Sequence, residues 1–181
     1  MKLVPSGSQT VGPFFTIGLG HRCAAQPVAT TPITVCGKVV DGNGNGVGDA
    51  ILEIWQADPQ GHYASDPANA SGIATGFARI APDELGQFTF TTCRPGPVPF
   101  DENTQQAPHL FVLVFARGLL RHLITRMYFP GEPGNPTDPV LQSLHFERRD
   151  TLIAQSTAAS ADTLEWNIVL QGENETVFFA W

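Results

Sequence analysis

The stretch from Ala107 to Gly118 (APHLFVLVFARG) constrains the fold of this chain more than any other. It is the longest apolar run, it is rich in β-branched and aromatic residues, and turn-forming residues bound it at both ends. Such a run predicts a strand buried on both faces at the centre of a β core. His109 stands at its start and Arg117 at its end, so one structural strand carries two groups capable of chemistry.

Around it, residues 33–40 (ITVCGKVV) read as a strand from their β-branched content. The turn signal DGNGNG at 41–46 and an alternating apolar segment at 50–57 follow, which predicts a hairpin. Further strands are expected at 76–80, at 86–92 and at 121–129, the last reached through a turn at Arg117-Gly118. Two more, at 164–170 and 175–179, flank the turn at 171–174. The prolines of 94–99 lack donors and keep that segment out of a central strand. Residues 140–154 suit one or two short helical turns. About eight short strands separated by turn signals predict an all-β fold, an antiparallel β-sandwich with long irregular loops. Residues 1–32 read as an extended N-terminal arm and linker, the arm pinned by Phe14, Phe15 and Ile17, and 1–181 as one domain.

Ten Lys and Arg against 17 Asp and Glu give a formal charge of −7. No basic patch is present, which argues against a nucleic-acid partner. Charged residues are only 15% of the chain, so much of the surface is neutral or covered by a partner. Cys23, Cys36 and Cys93 form no paired motif and read as reduced thiols. Residues 1–20 lack the pattern of a signal peptide and no apolar run spans a membrane, so a cytoplasmic protein without membrane contact is expected.

Two metal ligands on one strand face need i, i+2 spacing. From His109 that position is Phe111. A turn centred on Arg117-Gly118 places His109 opposite Arg126, an imidazole beside a cation. By itself His109 therefore reads either as a hydrogen-bonded boundary histidine or as a ligand. Tyr63 reads as a packed phenol or a ligand. Arg117 and Arg126 read as solvated charges or as substrate clamps.

Longer motifs narrow these alternatives. ILEIWQADPQGHY at 51–63, RPGP at 94–97 and the strand around His109 resemble the intradiol ring-cleaving dioxygenases. SQTVGPF at 8–14, FARG at 115–118, TRMYF at 125–129 and QGENETVFF at 171–179 resemble the alpha chains of the two-chain members of that family. The likeness keeps its order over nearly the whole chain. It implies a β-sandwich. It also implies a non-haem Fe(III) ion, held by two tyrosines and two histidines, that binds a catechol for ring opening by O2. Tyr63 occupies the first tyrosine position; Val98 stands at the second. His109 and Phe111 stand where the family has His-x-His, and Gln106 stands where it has a catalytic arginine.

With two ligands missing, the resemblance implies no metal on this chain. Tyr63, Val98, His109 and Phe111 are then the remnant of an iron site. The Fe(III) would belong to a related beta subunit in an alpha–beta hetero-oligomer. This chain would complete the pocket for a small aromatic substrate, 3,4-dihydroxybenzoate, opened to 3-carboxy-cis,cis-muconate. The implied substrate-binding residues are Thr10, Gly12, Pro13, Phe14 and Arg117. Phe14 replaces the family's usual tyrosine and contributes shape without a hydroxyl. The alternatives are a non-catalytic β-sandwich binding module and a self-sufficient iron enzyme using His62 or His122 as substitute ligands.

Overall fold

The computed structural model describes residues 6–12, 14–20, 31–63, 76–158 and 160–180. Pro13, Cys23 and the irregular segment 64–75 lie outside the described residues. The strands are β1 (Ile33–Val40), β2 (Ile51–Trp55), β3 (Phe77–Ile80), β4 (Gln87–Thr92), β5 (Val98–Pro99), β6 (Gln105–Gln106), β7 (His109–Phe115), β8 (Leu123–Tyr128), β9 (Gln155–Thr157), β10 (Ser160–Glu165) and β11 (Ile168–Val169). Three short helices accompany them: α1 (Phe15–Gly20), α2 (Pro139–Gln142) and α3 (Phe146–Arg149).

The strands form a β-sandwich. One sheet places β1 between β4 and the β10–β11 segment, with β9 beyond; the other runs β3-β2-β7-β8; β5 and β6 make a separate ribbon. β7 is central, paired along both edges, as its composition predicts. Leu110, Val112 and Val114 point into the core and are fully buried. Phe111, Leu113 and Phe115 on the opposite face are only half-buried, so burial on both faces is a partial truth. Val35, Val39, Leu52, Ile54, Phe88 and Phe90 close the same core from the two sheets.

The fold is the β-sandwich expected, with three local departures, each for a long-range reason. The hairpin of 33–40 with 50–57 does not form, because β1 and β2 belong to different sheets. Each has one apolar face, and facing each other across the core buries more of it than lying side by side. The sheets are not wholly antiparallel: β1 pairs parallel with β10 and β11. Those strands are distant in sequence, so no tight turn dictates their direction. Gly37 permits this pairing, since a Cβ there would lie 1.8 Å from the Trp166 carbonyl oxygen. The closing pair 164–170 with 175–179 is replaced by β10, β11 and an extended tail. That tail is held where the Thr176 N–H donates to Val169 O (2.9 Å) and the Phe179 N–H to Ile124 O (2.8 Å).

The N-terminal arm also differs. Residues 15–20 are helical rather than extended, and Phe14 and Ile17 are 73% and 62% exposed. Among the described residues neither is part of a buried apolar cluster.

Gly61 joins the loop after β2 to the proline loop before β5. Its φ is +85°, and a Cβ there would lie 2.1 Å from the Pro97 carbonyl oxygen. Gly61→Ala is expected to lower the unfolding free energy by roughly 2–4 kcal/mol, read from urea denaturation. A loss under 0.5 kcal/mol would show that the two loops are not locked together.

Candidate functional site

Two regions at opposite ends of β7 hold the residues singled out by sequence. The first begins with two loops. The Asp58 carboxylate accepts from the backbone N–H groups of Gln60 (2.9 Å) and His62 (2.8 Å), and these hold its pKa below the usual carboxylate range. The turn so formed presents Tyr63, 45% exposed. Burial raises the Tyr63 phenol pKa and the Arg126 charge opposes that rise. The Gly96 N–H donates to Asp58 O (2.8 Å), fastening the proline loop to the same turn. Beyond it, Val98 of β5 pairs with Gln106 of β6.

β7 and β8 supply the remainder. His109 lies opposite Tyr128, and Phe111 lies opposite Arg126. The predicted His109–Arg126 register is therefore two residues out, because the connection spans 116–122 rather than turning at Arg117-Gly118. His109 is 3% exposed; its Nδ1 lies 2.8 Å from the Ala107 carbonyl oxygen, and its ring centroid is 5.5 Å from that of Tyr128. Burial first, and the Arg126 charge second, depress its pKa to about 4, with the Ala107 bond and Asp138 opposing. The imidazole is therefore neutral at physiological pH. The Tyr128 hydroxyl donates to Asp138 Oδ1 (3.1 Å) and accepts from Arg126 Nη1 (3.3 Å). Arg126 Nη1 also donates to Gln106 Oε1 (2.6 Å). Asp138 is fully buried, yet satisfied: it accepts from the N–H groups of Ala107 (2.7 Å), Val140 (2.9 Å) and Leu141 (2.8 Å).

The second region is where the β7–β8 connection meets the N-terminal arm. Arg117 lies eight residues beyond His109, roughly 26 Å if extended. Arg117 is exposed and its Nε donates to the Asp49 carboxylate. The neighbouring Gly118 N–H donates to Thr10 Oγ1 (3.2 Å), so the structure joins two motifs more than a hundred residues apart. The Phe15 N–H donates to Gly12 O (3.2 Å), which closes the bend that presents Phe14. A cleft of about 430 Å³ lies between arm and connection, lined among others by Val11, Phe115, Leu120, Arg121 and His122. His62 and His122 belong to different regions: His62 pairs with Asp58 at 3.6 Å, and His122 stacks on Phe115 with centroids 5.3 Å apart.

A protein-family model described as Dioxygenase matches residues 21–172. The protocatechuate 3,4-dioxygenase alpha chain of Burkholderia cepacia is 38% identical over 201 residues, covering 99% of this chain and 98% of the relative. The chain belongs to the intradiol ring-cleavage dioxygenases. The protocatechuate 3,4-dioxygenase beta chain of the same organism is 30% identical over 155 residues, covering 80% of this chain and 66% of the relative. Among solved structures, the dioxygenase domain of a dioxygenase carbohydrate-binding protein fusion from Streptomyces sp. SirexAA-E has a TM-score of 0.61 at 27% identity. It covers 94% of this chain and 100% of that one.

For an intradiol dioxygenase the first region is unusual. The family uses non-haem iron, and the donors here do not fit it. Of the four positions where the resemblance implies ligands, Val98 and Phe111 offer no donor atom, and Arg126 is the cross-strand partner of Phe111. Among the described residues no group of three or more His, Cys, Asp or Glu is placed to hold a metal ion.

The sequence reading missed Asp138, Asp49 and the bonding of Arg126. Asp138 had a legible signal, an acidic residue before Pro139 at a helix start. The partners of Asp49 and Arg126 had none, since both contacts depend on tertiary placement.

His109 supplies a pH test. The unfolded imidazole protonates near 6.5 and the folded one only near about 4. Its contribution is therefore complete above pH 6.5 and is lost as pH falls toward 4, approaching roughly 3 kcal/mol. Urea unfolding of wild type and His109→Gln between pH 7 and 4.5 is expected to show a shallower pH slope in the variant. Equal slopes would refute the burial account.

Proposed function

We propose that this chain is the alpha subunit of a protocatechuate 3,4-dioxygenase, completing the substrate pocket of an iron-bearing beta subunit. The end-to-end match to an alpha chain carries this reading, and the likeness to a beta chain supports a related partner subunit. The loss of donors at Val98 and Phe111 supports assigning the Fe(III) to the beta subunit.

The arm and the β7–β8 connection form the partner-facing end. Phe14, Ile17 and Leu120 are 73%, 62% and 63% exposed, a concentration of apolar surface that suits a covered interface. Arg117 is held by Asp49 through Nε, which orients the guanidinium, and among the described residues no hydrogen bond engages its terminal nitrogens. The ring carboxylate of 3,4-dihydroxybenzoate is a fitting acceptor, because a charge-assisted pair is roughly twice as strong as a neutral hydrogen bond. Thr10 holds the arm against Gly118, and Gly12 and Phe14 shape the wall. Free thiols at Cys36 and Cys93 suit a reducing cytoplasm.

The chain produced alone is expected to contain no stoichiometric iron and no tyrosinate-to-iron colour. Produced with its beta chain it is expected to give an active complex. In that complex Arg117→Ala should raise KM for 3,4-dihydroxybenzoate about tenfold, near 1.4 kcal/mol, and leave KM for unsubstituted catechol unchanged. Iron-dependent turnover by the chain alone would overturn the subunit assignment, and an unchanged KM would remove Arg117 from the pocket.

A further inference from the structure

The space left by the missing ligands is not simply apolar. β8 is registered so that Arg126 stands directly across from Phe111, two residue pairs inward from His109–Tyr128 and so on the same side of the sheet. Its Nη1 bonds both Gln106 Oε1 (2.6 Å) and the Tyr128 hydroxyl (3.3 Å), and its Cζ lies 6.0 Å from the Phe179 ring centroid. Its charge reaches both donors that remain, the Tyr63 phenol and the His109 imidazole. Among the described residues no carboxylate forms an ion pair with it.

We infer that the Arg126 guanidinium is a built-in cation that has taken the place of the ferric ion and closes this pocket to metal. The inference rests on the reading above that the pocket descends from an iron site. A metal centre contributes organising energy to the fold around it. Once two ligands are lost, a phenol and a buried imidazole are left without a central charge. A guanidinium supplies one permanently, since it does not deprotonate, and its Nη1 donates to both the Gln106 amide oxygen and the Tyr128 hydroxyl. The residue at 106 fits this exchange. Gln106 offers an acceptor to Arg126, whereas the arginine of the family pattern at that position would set two cations within hydrogen-bonding distance. A ferric ion brought to the same place would meet the same repulsion.

The test restores the ligand set in the full chain and then removes the cation. Val98→Tyr/Phe111→His is compared with Val98→Tyr/Phe111→His/Arg126→Gln, both exposed to ferric citrate, with uptake read by metal analysis and by visible tyrosinate-to-iron absorbance. The triple variant is expected to hold at least tenfold more iron than the double at equal ferric concentration. Equal uptake by the two would overturn the inference. If neither takes up iron, Arg126→Ala decides: a lower melting temperature, restored by millimolar methylguanidinium but not by methylammonium at equal ionic strength, upholds it. No loss of stability, or no selective rescue, overturns it. None of these readouts uses turnover or a beta chain, so failure here is distinct from failure of the subunit assignment.

Discussion

β7 is paired along both edges, with β2 on one side and β8 on the other. Its backbone donors and acceptors are committed, so the alternation of its side chains cannot slip without exposing Leu110, Val112 and Val114. That constraint splits the strand into a core face and a site face. The buried Asp138 carboxylate reinforces it from outside the sheet, tying the Ala107 N–H before β7 to the Tyr128 hydroxyl at the end of β8. A buried carboxylate is tolerable there because hydrogen bonds meet it on both oxygens.

The two ends of the strand have taken different physical paths. At the His109 end burial dominates: a neutral imidazole, a phenol and an arginine are packed against a fastened pair of loops. At the Arg117 end exposure dominates. The arginine is oriented by Asp49, and the Gly118 N–H donates to Thr10 on the arm. A subunit that shapes a neighbour's pocket needs the second arrangement and can let the first become structural. The exposed apolar residues on the arm and connection agree with that division.

Much of the fold was legible in sequence because strand formation is local here. The β-branched content of 33–40, the alternation of Phe88 and Phe90 and the apolar run after Pro108 each marked a strand, and the short helices near Leu141 and Arg149 fell where expected. Pairing was less legible. The turn signal DGNGNG reads as a hairpin, and only burial of two apolar faces against each other sends β1 and β2 to separate sheets. The β7–β8 register was missed by two residues because the composition of 116–122 marks a turn without fixing the length of the loop.

The sequence by itself determined which donors are lacking at the positions where the resemblance implies iron ligands. Val98 and Phe111 have no ligating side-chain atoms in any fold, and the motifs around Tyr63, His109 and Thr10 mark the family in the sequence alone. Only the tertiary structure decided what gathers around those positions. Arg126 is one of several arginines in the sequence, and nothing local distinguishes it. It becomes a pocket residue because cross-strand register, loop closure and the bond to Gln106 act together, and each depends on residues far apart in the chain.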